Sequence, residues 1–246
     1  MKSLIQFFFK LGSPQWFYQF SKPFVPLFAL LSVALLGWGL ISGFLYAPMD
    51  FKQGNSFRII YVHVPSSFVA LSCYYMMAIL AAIYLIWRTK MAEVILRCCA
   101  VVGAAMTFIS LITGAIWGKP TWGTWWVWDA RVTSMLVLFF IYMGIYALSK
   151  AYEREELGSK AAAILALVGT VNIPIIYWSV DWWFALHQGA TLKLTEKSAM
   201  ESSMLQPLLI MIAGSYCLYI LLILLHSRAE ILRIDQRKQW LKELSQ

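Results

Sequence analysis

The chain has 246 residues, 61% of them hydrophobic and only 13% charged, with a mean hydropathy of +0.68. A soluble domain carries about 25% charged residues, so the composition excludes a soluble enzyme or a soluble nucleic-acid-binding module and points to a polytopic membrane protein. The net charge of +8 then reads as basic loops on one side of a bilayer, with no nucleic-acid partner expected.

Residues 1–22 place Lys2, Lys10 and Lys22 among aromatic side chains, and no small-residue cleavage site follows Phe7, Phe8 and Phe9. This is the pattern of a segment at the membrane surface and not of a cleavable signal. A spanning helix needs roughly 20 mostly apolar residues. Six stretches qualify, at 24–46, 59–87, 94–117, 132–148, 161–178 and 205–226. The predicted fold is therefore an all-α integral membrane protein, a bundle of six transmembrane helices. Fourteen of the twenty Lys and Arg residues fall on the side of the termini, and six (Lys52, Arg58, Lys119, Arg131, Lys193, Lys197) on the other. The positive-inside rule puts both termini in the cytoplasm and turns the loops near 47–58, 118–131 and 179–203 outward.

Within the third span Gly103, Thr107, Ser110 and Gly114 share one helical face, a pattern that lets helices approach closely. In the fifth, Asn172 is expected to bond a neighbouring helix or a carbonyl freed by Pro174. Cys73, Cys98, Cys99 and Cys217 form no CxxC pair and lie in or beside apolar stretches, as small buried hydrophobes do. The organisation is one membrane domain, 1–226, followed by a basic tail, 227–246, read as an interfacial helix or a docking surface.

Five of the twelve tryptophans (Trp117, Trp122, Trp125, Trp126 and Trp128) lie in the outer-face segment 117–131, with Asp129 and Arg131 at its end. Such a segment makes a flat aromatic surface edged by charge, suited to a large, flat, apolar ligand with a few anionic groups. A single His near a membrane boundary is commonly just an interfacial residue. His63, two residues before Pro65, and His187, four after Trp183, both fall on the outer side with the tryptophans. Imidazole is a good ligand for iron, zinc or copper. Two His without Cys, a third His or a carboxylate cluster do not make a closed zinc site. Two axial His on a haem iron fit the pieces better, with Arg58, Lys119 and Arg131 as partners for propionates. Asp129 reads either as a structural residue, pairing with Arg131 or capping the fourth helix, or as an orienting group for a Trp N–H or a ligand.

The run WGTWWVWD at 122–129 resembles the tryptophan-rich WWD signature of haem-handling proteins of cytochrome c maturation. The stretches 53–65 (QGNSFRIIYVHVP), 117–131 and 181–191 (DWWFALHQGAT) narrow the resemblance to the cytochrome c-type biogenesis protein C family, also called haem exporter protein C, and it extends over nearly the whole chain. The resemblance implies a protein that holds haem b at the periplasmic face of the bacterial inner membrane and delivers it to a periplasmic haem chaperone, without conventional enzymatic turnover. It implies as partners a small single-span accessory subunit and the ATPase and membrane subunits of an ABC transporter. It puts the iron-ligand roles on His63 and His187, the haem platform on Trp117, Trp122, Trp125, Trp126, Trp128 and Asp129, and basic positions on Arg58 and Arg131. Two other readings stay open at this point: a membrane electron-transfer subunit with a permanent b-type haem, and a scaffold that binds no haem.

Overall fold

The computed structural model describes residues 10, 12–182, 187, 200–236 and 238–244. The expectations for residues 1–9, Trp183, Lys193, Lys197 and Arg237 lie outside the described residues. Among those described, every regular element is helical: α1 (Pro14–Phe20), α2 (Phe24–Ile41, extended by a π-helical turn Ser42–Tyr46), α3 (Ile60–Trp87, entered through a 3-10 turn Asn55–Ile59), α4 (Lys90–Trp122), α5 (Ala130–Lys150), α6 (Glu155–Val168), α7 (Asn172–Trp182), α8 (Ser202–Ile234) and α9 (Gln239–Leu244). Six helical segments are long and apolar enough to cross a membrane, as a multi-pass membrane protein requires. They correspond one for one to the predicted spans.

Helices α3 and α4 form the centre. They pack chiefly on each other, and both also touch α8. Helix α2 lies at the edge, held mainly by α8, and its apolar side chains are the least buried of the six spans. Buried hydroxyls in this core must find partners within the protein, because a bilayer offers none. Tyr142 Oη donates to the Ala70 carbonyl at 2.7 Å and Tyr74 Oη to the Ala166 carbonyl at 2.9 Å, so two tyrosines pin α3 to α5 and to α6. Gly103 has no side chain where a Cβ would come 2.2 Å from the Tyr142 ring. At the end of the bundle where α4 begins, Arg97 donates to Glu93 and to Ser159 of α6, both at 2.6 Å, and lies 3.4 Å from Glu230 of α8.

The boundaries depart from the sequence reading in three places. Helix α4 runs past residue 117 and ends at Trp122, because Gly123 takes the left-handed conformation (φ 79°) and its N–H bonds the Lys119 carbonyl at 3.1 Å. The fifth span is broken by a 3-10 turn, Gly169–Val171, between α6 and α7. Pro174 lacks an N–H, and in an unbroken α-helix its ring would clash with the carbonyl four residues earlier, that of Thr170. Asn172 Nδ2 instead donates to the Ser134 carbonyl of α5 at 2.9 Å, the neighbouring-helix bond expected of it. Helix α8 continues through 227–234, with Ser227 and Ile231 fully buried, so the first part of the tail belongs to the packed bundle. Trp240 of α9 packs on Tyr18 of α1, ring centroids 5.7 Å apart.

Candidate functional site

Successive spans alternate direction, with α6 and α7 together forming the fifth, so the start of α3, the end of α4, the start of α5 and the chain beyond α7 meet at one end of the bundle. A cleft of about 220 Å³ opens there. Its walls include His63 from the first turn of α3, Trp117 and Trp122 from the last turns of α4, Trp125 and Trp126 from the connection, Arg131 from the first turn of α5, and His187. Residues more than 120 positions apart in the chain are thus neighbours. The His63 and His187 ring centroids are 6.3 Å apart with planes inclined by 37°. Trp117 stands edge-on to His63 (5.7 Å, 76°), and Trp122 lies 6.2 Å from His187.

Helix α4 supplies the back wall at His63. His63 Nδ1 lies 3.0 Å from the Ser110 carbonyl oxygen and 3.1 Å from Thr113 Oγ1. Gly114 permits this approach, since a Cβ there would sit 3.1 Å from His63 Cε1. The small-residue stripe of the third span therefore has two uses. Gly103 and Thr107 serve packing, whereas Ser110 and Gly114 shape the cleft. Gln53, from the loop before α3, accepts the Trp117 indole N–H at 2.6 Å. Sequence reasoning assigned no role to Gln53 or Thr113. The signal for Thr113 was its place beside the stripe, and for Gln53 only its inclusion in the stretch 53–65.

Four expected site residues stand outside the cleft lining: Arg58, Lys119, Trp128 and Asp129. Arg58 donates through Nη2 to the Ala47 carbonyl at 2.9 Å and so braces the loop between α2 and α3. Trp128 is 77% exposed and meets Trp126 edge-on at 5.5 Å. Asp129 caps α5, its Oδ1 accepting the Val132 N–H at 2.8 Å. Among the described residues, buried Trp126 Nε1 and Asp129 Oδ2 have no hydrogen-bond partner. Lys119 donates to the Gly123 carbonyl at 3.1 Å on the surface. No group of three or more His, Cys, Asp or Glu converges among the described residues.

The fold and cleft define a class: a six-span membrane protein that gathers two histidines and four tryptophans in a cleft at one end of its bundle. Comparison with known proteins narrows the class. The family model for heme exporter protein C (CcmC) matches residues 7–242. The heme exporter protein C of Haemophilus influenzae is 46% identical over 241 residues, covering 94% of this chain and 98% of that one. That of Escherichia coli strain K12 is 46% identical over 235 residues (96% and 95%), and that of Bradyrhizobium diazoefficiens 41% identical over 223 (91% and 84%). This chain belongs to the heme exporter protein C family.

Proposed function

We propose that the cleft holds haem b, with His63 and His187 as the two iron ligands, at the periplasmic face of the bacterial inner membrane, and that the protein delivers this haem to a periplasmic haem chaperone during cytochrome c maturation. The observation that carries the reading is the spacing of the two imidazoles. A metal–imidazole bond is about 2.0–2.1 Å, and adding roughly 1.2 Å from nitrogen to ring centre at each side puts two rings on one ion about 6.4 Å apart. The rings here are 6.3 Å apart. Both sit at an end of the bundle: His63 is the fourth residue of α3, and His187 follows the end of α7.

The surroundings suit the cargo. Trp117, Trp122, Trp125 and Trp126 offer aromatic faces and edges to a porphyrin. Arg131 brings a guanidinium to the cleft, the group that grips a carboxylate best. A buried N–H is rarely left unpaired, and a propionate oxygen is a suitable acceptor for Trp126 Nε1–H. Arg58 and Asp129 act one step back, bracing the loop before α3 and the start of α5, and Trp128 supports Trp126. The cleft is smaller than the roughly 300–1,000 Å³ of pockets that enclose a ligand. A tetrapyrrole seated there leaves part of its edge outside, where an acceptor reaches it. Delivery needs such exposure, and a permanent electron-transfer haem does not.

The bias of basic residues towards the termini supports cytoplasmic termini and a periplasmic cleft. The relatives' name, heme exporter protein C, supports a place in an export complex, with an ABC transporter's ATPase and membrane subunits and a small single-span subunit as partners. The test is a transfer assay. Protein purified with haem is mixed with the haem-free periplasmic chaperone, and haem is followed by absorbance on each after separation. Movement of haem to the chaperone is expected. Stoichiometric haem that never leaves would replace this reading with the electron-transfer subunit, and a protein that takes up no haem would replace it with the scaffold.

A further inference from the structure

We propose that Thr113 is a positioning residue for His63: together with the Ser110 carbonyl it holds the imidazole proton on Nδ1 and leaves Nε2 as the ring's lone-pair atom. The inference rests on the reading of His63 as an iron ligand and names what sets up that ligand.

The hydrogen-bond inventory around His63 admits one assignment. A carbonyl oxygen can only accept, so the 3.0 Å contact between Nδ1 and Ser110 O requires a proton on Nδ1. Thr113 Oγ1 has two carbonyls to donate its own proton to, Ile109 at 2.7 Å and Ser110 at 3.2 Å, and with either it is left to accept from Nδ1 at 3.1 Å. Ser67 Oγ donates to the His63 carbonyl at 2.8 Å, so the 2.6 Å contact between Ser67 and Ser110 hydroxyls is donated by Ser110. A neutral imidazole protonated on Nδ1 presents its lone pair at Nε2, and the partner of the first nitrogen decides which nitrogen binds a metal. Acceptors behind a ligating histidine also raise its donor strength and fix its ring. Gly114 completes the cradle by letting α4 come close enough for both bonds.

The proposal separates Thr113 from a packing role by chemistry. Thr113→Val keeps the shape and removes the second acceptor, while Thr113→Ser keeps the hydroxyl. Two measurements apply. The first uses haem-free protein labelled with 15N-histidine, studied by solid-state NMR above pH 8, with the His63 signals assigned by their loss in His63→Ala. Protonated Nδ1 and unprotonated Nε2 are expected at His63; the reverse tautomer overturns the proposal whatever the protein binds. The second is titration with ferric protoporphyrin IX. Thr113→Val is expected to weaken binding by about tenfold, the low end of the range for such supporting partners because the Ser110 carbonyl remains, and Thr113→Ser to restore it. Binding by Thr113→Val within twofold of the unaltered protein, or equal loss in both variants, overturns the role of the hydroxyl. If His63→Ala binds the porphyrin as the unaltered protein does, the haem-ligand reading fails instead, and the tautomer measurement alone decides the placement of the proton.

Discussion

Gln53 and Trp117 are joined by a 2.6 Å hydrogen bond from the indole N–H to the side-chain carbonyl, and the Trp117 ring so held stands edge-on to His63. The bond ties the loop before α3 to the last turns of α4, 64 positions away in the chain. Trp117 is 8% exposed, so removing the acceptor strands a buried donor. Gln53→Ala is expected to destabilise the protein by about 1–3 kcal/mol, read as a lower unfolding temperature in detergent. In a Trp117→Phe background, which has no N–H to strand, the same substitution should cost much less. Equal losses in the two backgrounds would show that this bond does not hold the ring.

The tryptophans of the segment 117–131 are not equivalent. Trp122 lines the cleft and touches His187, whereas Trp128 is mostly exposed and reaches the cleft only through Trp126. Trp122→Ala should weaken binding of ferric protoporphyrin IX clearly more than Trp128→Ala does, as followed by absorbance titration. The opposite order would move the porphyrin face away from α4.

The spans, and the convergence of both histidines with the tryptophan segment, were legible in the sequence because they depend on simple quantities. Apolar length sets the six crossings, and alternation of direction brings His63, the tryptophan segment and His187 to one end. Features that depend on local backbone geometry were not legible. Extension of α4 to Trp122 rests on the left-handed Gly123, and the break before α7 falls where Pro174 would clash with the Thr170 carbonyl of an unbroken helix. The cradle behind His63 was hidden for a different reason: Ser110 and Gly114 look like packing residues until the facing helix is known. Arg58 reads as a cation for a ligand, but its guanidinium is bound to the Ala47 carbonyl, a partner that no pattern discloses.

At the opposite end of the bundle, Arg97 and Glu93 form a buried pair, with side chains 5% and 8% exposed. Breaking a buried pair by removing one partner costs about 3–5 kcal/mol. Arg97→Met should fall near the lower figure, because Lys90 Nζ remains 3.0 Å from Glu93. The double variant Glu93→Leu/Arg97→Met should recover most of the loss. Thermal unfolding of the four proteins closes the cycle, and additive losses would mean that the pair is not coupled.

Asn172 donates to a carbonyl of α5 at the point where the fifth span is interrupted. Hydrogen bonds between membrane helices average only about 0.6 kcal/mol, with a maximum near 1.7. Asn172→Leu is therefore expected to cost about 1 kcal/mol and to leave porphyrin binding within twofold. A large loss of binding would place Asn172 in the function of the cleft and not only in its frame.

The central claim is that His63 and His187 ligate one iron ion, and the ligand field reports this most directly. Electron paramagnetic resonance and resonance Raman spectra of the protein loaded with ferric haem should show a six-coordinate, low-spin iron with two imidazole ligands. His63→Ala and His187→Ala should each convert it to a high-spin form that added imidazole returns to low spin. A low-spin spectrum unchanged in either variant would contradict the account.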